Sequence, residues 1–123
     1  MTPAVLTYGP GLLEGPAEVG QRFMVAYLRG ARDYNAAFKR GVGRAEIVQI
    51  LMKHTSVKDA AMYERMGLSY IDPDGALNLA NLTDQEAFYA DFGAIPTRID
   101  VQTLVDNRFR EGALQRLGPY PGP

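Results

Sequence analysis

The longest uninterrupted helical pattern of apolar and polar positions in the chain is PAEVGQRFMVAYLRGARDYNAAF, Pro16 to Phe38. Phe23, Tyr27, Tyr34 and Phe38 recur there at helical spacings with Leu28 and Ala31 beside them, while Arg22, Arg29, Arg32 and Asp33 fall largely elsewhere. This spacing predicts an amphipathic helix whose aromatic stripe faces the core. Pro16, Ala17 and Glu18 suit a first turn, because proline has no N–H to lose there and an acid favours the positive end of the helix dipole. Lys39-Arg40-Gly41-Val42-Gly43 is a basic, glycine-rich stop.

Upstream, Ala4 to Tyr8 is a short apolar run of strand formers ending at Gly9-Pro10-Gly11, which predicts one strand and a turn. A lone strand needs a hydrogen-bonding partner, from another copy or from further protein. Downstream, Arg44 to His54 predicts a second helix with Ile47, Ile50, Leu51 and His54 inward. Ser56-Val57-Lys58-Asp59 predicts an N-cap for a helix from about Val57 to Met66 that buries Met62, Tyr63 and Met66. Asp72-Pro73-Asp74-Gly75 marks a turn within an irregular stretch from Leu68 to Ala80. Thr83-Asp84-Gln85-Glu86 reads as a capping box opening a helix through Phe88 and Phe92 to Gly93, and Ile95-Pro96 as an extended link. Asp100 can cap a short helix over Val101 to Val105. Asn107 to Leu117 forms the last helix, with Phe109, Ala113, Leu114 and Leu117 inward. Gly118-Pro119 ends it, and the tail from Tyr120 to Pro123 is expected to be extended and partly disordered. The resulting class is mainly α: five or six helices and one short N-terminal strand in a single helical domain.

A chain of 123 residues, 46% hydrophobic and 22% charged, has the size and balance of one globular domain able to bury a core. A net charge of -1 with mixed signs supplies no basic surface for nucleic acid. No apolar run is long enough to span a bilayer, so no membrane insertion is expected. Met1 to Val5 lacks a charged n-region and a long apolar region, so no secretory signal is read there. The absence of cysteine excludes disulfides, thiolate metal sites and cysteine nucleophiles.

Gly9-Pro10-Gly11-Leu12-Leu13-Glu14 and Gly41-Val42-Gly43-Arg44-Ala45-Glu46 begin like dinucleotide fingerprints but place Glu where the third glycine belongs, and neither sits in a βαβ unit. Both read as turns. The Asp72 turn starts like a calcium loop, but Gly75 comes too early and no Glu closes the ring. His54 is the only histidine, which excludes a multi-histidine metal site within one chain, and beside Thr55 and Ser56 it makes no nucleophile and base without tertiary help. Arg29, Arg32 and Asp33 read as an anion-binding or hinge cluster or, as exposed helix charges usually are, a solvated face. No pair of carboxylates is spaced for acid and base work, and the chain reads as non-catalytic, with no cofactor.

Several segments carry a resemblance. Tyr8-Gly9-Pro10, Arg22 to Asn35 (RFMVAYLRGARDYN), Ile50 to Thr55 (ILMKHT), Val57-Lys58-Asp59, Ile71 to Gly75 (IDPDG) and Arg116 to Tyr120 (RLGPY) resemble, in order, the C-terminal portion of ABC-transporter substrate-binding proteins. The subgroup is the nitrate/sulfonate/taurine type, which shares its fold with the thiamine-pyrimidine synthesis proteins. The resemblance implies the C-terminal part of a two-lobed α/β periplasmic-binding-protein fold, with Ala4 to Tyr8 as a strand returning to the first lobe and helices packed outside it. It implies a periplasmic location, an ABC permease as partner, and a small-molecule ligand in the full-length parent. Tyr8 and Gly9 are the ligand-binding positions carried over. It implies equally that the signal peptide, most of both sheets and nearly all ligand-contacting loops lie outside this sequence, and that the chain expressed as given stays in the cytoplasm. Without the cleft, the chain is expected not to hold the parent's ligand, because binding energy comes from polar groups converging from two lobes. Its apolar face is expected to drive self-association through the N-terminal strand and Phe23, Tyr27, Tyr34 and Phe38. Two other readings are a free-standing helical interaction module and a fragment of a pyrimidine-synthesis enzyme. The latter would need a cysteine-rich motif, and there is no cysteine.

Overall fold

Among the described residues the chain forms six α-helices and one 3₁₀ turn, the longest being the 24-residue α2 (Ala17–Arg40). The computed structural model describes residues 4–67 and 69–122; Met1 to Pro3, Leu68 and Pro123 lie outside the described residues. The others are α1 (Pro10–Leu13), α3 (Arg44–His54), α4 (Ala60–Arg65), α5 (Leu79–Asp91), the 3₁₀ turn Val101–Leu104, and α6 (Arg108–Leu117). The mainly helical class is as the sequence predicts, and no strand occurs among the described residues. The strand expected over Ala4 to Tyr8 is therefore corrected: this segment is irregular, and Val5 and Leu6 are exposed. No other strand is there to pair with it, and unpaired backbone in extended form gains nothing over water.

Helix α2 begins after Pro16 and ends at Gly41, whose φ of 73° is the left-handed conformation that costs glycine nothing. The N–H groups of Gly41 and Val42 return to the carbonyls of Ala37 and Ala36, which satisfies the last turn. The buried line of α2 is Gly20, Met24, Leu28, Ala31, Asn35 and Ala37. This corrects the expected stripe: Phe23 is 46% exposed, and Tyr27, Tyr34 and Phe38 are half-buried on the flank. The cause is close approach of α6. A Cβ on Gly20 would stand 2.4 Å from the Phe109 ring, so the seam between α2 and α6 admits no large ring from α2.

Met24, Leu28, Phe109 and Ala113 form the core cluster, with Tyr8, Leu12, Leu13, Leu114 and Leu117 packed against it. Phe109 is 1% exposed, and truncating such a ring to alanine typically costs about 3–5 kcal/mol. Of the four residues its spacing predicts inward, the last helix buries Phe109 and Ala113 and packs Leu114 and Leu117 half-buried against the core. Helix α3 has the predicted bounds but turns Val48 inward rather than Ile50 or His54, both of which are exposed. Its last carbonyls, those of Met52 and Lys53, accept bonds from Lys58 Nζ, a cation suited to the negative end of the dipole.

Two helix starts move. Asp59, not Ser56, caps α4 by accepting from the Ala61 N–H at 2.9 Å, and of the three side chains expected inward only Tyr63 is buried. Its hydroxyl is paired with Thr55 Oγ1 and the Val57 carbonyl, each at 3.0 Å, while Met62 and Met66 are exposed. Asn78 caps α5 by accepting from the Asn81 N–H at 3.0 Å, five residues before the expected cap at Thr83. Thr83 instead lies inside the helix and bonds the Leu79 carbonyl, a local alternative open to a mid-helix threonine. The short helix after Asp100 is a 3₁₀ turn, capped as expected by the Asp100 carboxylate.

Helix α2 carries α1, α3 and α6, and α3 carries α4. Helix α5 and the 3₁₀ turn pack on each other, and no other described helix packs on them. They form an arm beside the body.

Candidate functional site

Tyr8 and Gly9, the positions singled out from the sequence, sit at the entry to α1. Gly9 precedes Pro10 in extended conformation, and its carbonyl accepts from the N–H groups of Leu12 and Leu13. Tyr8 stands edge-on to Phe109, with ring centroids 5.2 Å apart. Burial, then the neighbouring Asp106 carboxylate and Tyr27, push its phenol above the ordinary tyrosine value. Its ring is thus held neutral on the core, at the N-terminal rim of the α2–α6 seam.

The densest polar group joins three distant parts of the sequence. Arg32 projects from α2 and donates to Asp74 Oδ1 at 2.7 Å, the Pro73 carbonyl at 3.2 Å, and the carbonyls of Leu117 and Gly118. Asp74 accepts from the Tyr120 N–H at 3.0 Å, and Arg110 donates to its carbonyl at 2.8 Å. Burial disfavours the Asp74 charge, but Arg32, the Tyr120 N–H and Arg110 outweigh it and hold the carboxyl below its usual range. The Asp72 carboxylate caps the turn through the N–H groups of Asp74 and Ala76. Asn35, 1% exposed, donates to the Ile71 carbonyl at 2.9 Å and ties the preceding residue down. All of these acceptors are internal, so the Arg32 cluster works as a clasp rather than an anion site. Of the tail, Tyr120 is held at its hydroxyl as well, with Arg40 donating to it at 3.1 Å, and Pro123 lies outside the described residues.

The apolar features lie elsewhere. Between α2 and α3 runs an open groove of about 390 Å³, lined by Tyr27, Tyr34, Ile47, Ile50, Leu51 and Ile71 among others. On the arm, Phe88 lies stacked on Phe92 at 6.0 Å and edge-on to Tyr89 at 5.7 Å. These rings are 63%, 77% and 49% exposed respectively, and Leu104 on the 3₁₀ turn is 70% exposed. Helix α5 is fastened to the returning chain by Glu86, whose carboxylate accepts from the Ile99 N–H at 2.7 Å and from Arg98 at 2.8 Å. The Ile99 N–H first, then Arg98, hold this carboxyl below its usual range against the opposing effect of burial.

His54 and Ser56 are exposed, and no group of three or more His, Asp or Glu suited to a metal ion occurs among the described residues. No described helix is long and apolar enough to cross a membrane. What the arrangement can do chemically is bind through apolar area, by the arm and by the groove. Sequence reasoning placed Phe88 and Phe92 on a helix but missed that this helix stands apart. The available signal was its composition, since residues 79–91 hold three acids, no base and two adjacent aromatic rings, with Phe92 directly after them. Comparison with known proteins finds no family model, no curated protein and no solved structure that matches the chain.

Proposed function

We propose that this chain is the C-terminal helical portion of the solute-binding component of an ABC importer, non-catalytic, acting in the periplasm with the family's permease and an unidentified small-molecule ligand. The observation that supports it is the bare apolar surface on the arm and in the α2–α3 groove, on a body whose segments follow the wording of that family in order. In this reading the surface is covered by the α/β lobes of the parent. The clasp of Arg32 and Asp74 holds the helical portion rigid, and Tyr8 with Gly9 stands where the chain leaves the cleft. Binding energy for the ligand comes from the two lobes, so the isolated chain binds no nitrate, sulfonate or taurine. The test is the transcript upstream of Met1. A continuous frame encoding a signal peptide and an α/β region supports the proposal, whereas an in-frame stop followed by a separate ribosome-binding site contradicts it.

A second reading concerns the chain when it stands alone. With the arm uncovered by its own helices, the isolated chain associates with itself. No N-terminal strand occurs among the described residues of the single chain, so this reading rests on the arm. Sedimentation equilibrium tests this directly: a concentration-dependent mass supports it, and a constant monomer mass refutes it.

A further inference from the structure

We infer that the arm, residues 77–105, opens and closes as a unit separate from the body, with the Glu86 carboxylate as the fastener that holds it closed. The distribution of burial is the first ground. Every buried apolar side chain among the described residues belongs to the body, between Met24 and Tyr63 or at Phe109 and Ala113. Of residues 77–105 the one buried residue is Glu86, a carboxylate. A segment that buries so little apolar area stands at the low end of local stability, below the helices that share the core.

The two ends of the arm also meet. Arg110 on α6 donates to the Asp74 carbonyl at 2.8 Å, and a Cβ placed on Gly75 would lie 3.8 Å from Arg110 Cδ. Arg32 holds the same turn to α2 through the Asp74 carboxylate and the Pro73 carbonyl. The chain thus leaves the body and returns to it at one pinned point, so opening of the residues between leaves α2 packed on α6. What closes the arm is internal to it. Glu86 lies on α5, and its partners Arg98 and the Ile99 N–H lie on the returning segment 12 and 13 residues later. A buried carboxylate without those partners bears the cost of its lost hydration, so the arm is either closed with both bonds made or open with Glu86 in water. Opening dismantles the ring cluster of Phe88, Tyr89 and Phe92, and Glu86 thereby sets how much of the time that surface is presented.

The test is amide hydrogen exchange of the whole chain across low urea concentrations, diluted until the sedimenting mass is that of one chain. Native α5 amides are expected to exchange on the order of a hundredfold faster than those of α2 and α6. Their exchange should also depend less on urea, because the opening exposes only part of the chain. Glu86→Ala is expected to speed α5 exchange on the order of tenfold and to leave α2 and α6 unchanged. Gly20→Ala, which crowds Phe109 in the body, is expected to speed α2 and α6 and to leave α5 unchanged. Exchange of all three helices through one common opening overturns the separate arm, as does a response of α2 and α6 to Glu86→Ala equal to that of α5. Native α5 amides with no protection at all overturn the closed form. Separate opening of α5 to the same extent with and without the carboxylate overturns Glu86 as the fastener.

Discussion

Gly20→Ala is the substitution whose sign depends most on the fold described above. Gly20 and Gly30 both lie inside α2, and in a free helix alanine at either is favoured by about 1 kcal/mol. Their surroundings differ. A Cβ at Gly30 meets nothing within 4 Å, so Gly30→Ala keeps the full gain. A Cβ at Gly20 would stand 2.4 to 2.5 Å from three atoms of the Phe109 ring. That ring is buried against Met24 and Leu28 and flanked by Tyr8, so it yields only if α6 moves away from α2. Overpacking of a tight core costs about 1–3 kcal/mol, and contact this close belongs at the upper end. Net, Gly20→Ala loses about 2 kcal/mol and Gly30→Ala gains about 1 kcal/mol. For a chain of this length the two variants then melt roughly 10 °C apart, on opposite sides of the native protein. Thermal unfolding followed by circular dichroism measures this, with urea unfolding as a check on the free energies. Equal stabilisation by both variants would refute the close packing of α2 on α6.

Three further outcomes follow. Arg32→Lys keeps the charge but not the planar fork that reaches four acceptors, and is expected to lose about 1–2 kcal/mol in urea unfolding and to free the Tyr120 tail for rapid amide exchange. Gly75 has a φ of 68° and lies against Leu28, so Gly75→Ala is expected to cost about 1–2 kcal/mol; an unchanged urea midpoint would show that the turn relaxes freely. Asp74, Glu86 and Asp106 all have carboxyls held below their ordinary value in the folded chain. Their stabilisation is complete above the unfolded carboxylate range of about pH 4 and is lost as pH falls through the lower folded values. Stability should therefore drop on acidification below about pH 4, and less steeply in Asp74→Asn than in the native chain; parallel acid titrations would contradict the clasp.

The mainly helical class and the longer helices were legible because they depend on local signals, whereas α1 (Pro10–Leu13), read as a turn, was not. The α3 bounds, the Gly41 stop, the Asp100 cap and the inward Phe109 and Ala113 all follow from periodicity and capping residues. What failed depended on partners far away in sequence. The aromatic stripe of α2 was misassigned by one helix position because Gly20, a gap in the hydrophobic pattern, is the contact that seats Phe109. Glu86 matched a capping box with Thr83, yet its carboxylate is taken by Ile99 and Arg98. Arg32 had the form of an exposed helix charge, and only folding brings it to Asp74 and the Gly118 carbonyl. For Ala4 to Tyr8, composition favoured a strand, but a strand is a pairing and the pairing is not there. Of the surfaces now taken as functional, the rings of α5 were visible as residues, while their standing clear of every other described helix was not.

The central claim is that this helical body belongs against further protein of the same polypeptide. The most direct measurement is the intact mass of the native polypeptide, captured from the cells that make it with an antibody raised against the Arg32 to Tyr120 region. The account predicts a species several times heavier than 123 residues, whose fragments include these helices at its C-terminal end. A captured species of only 123 residues would contradict it.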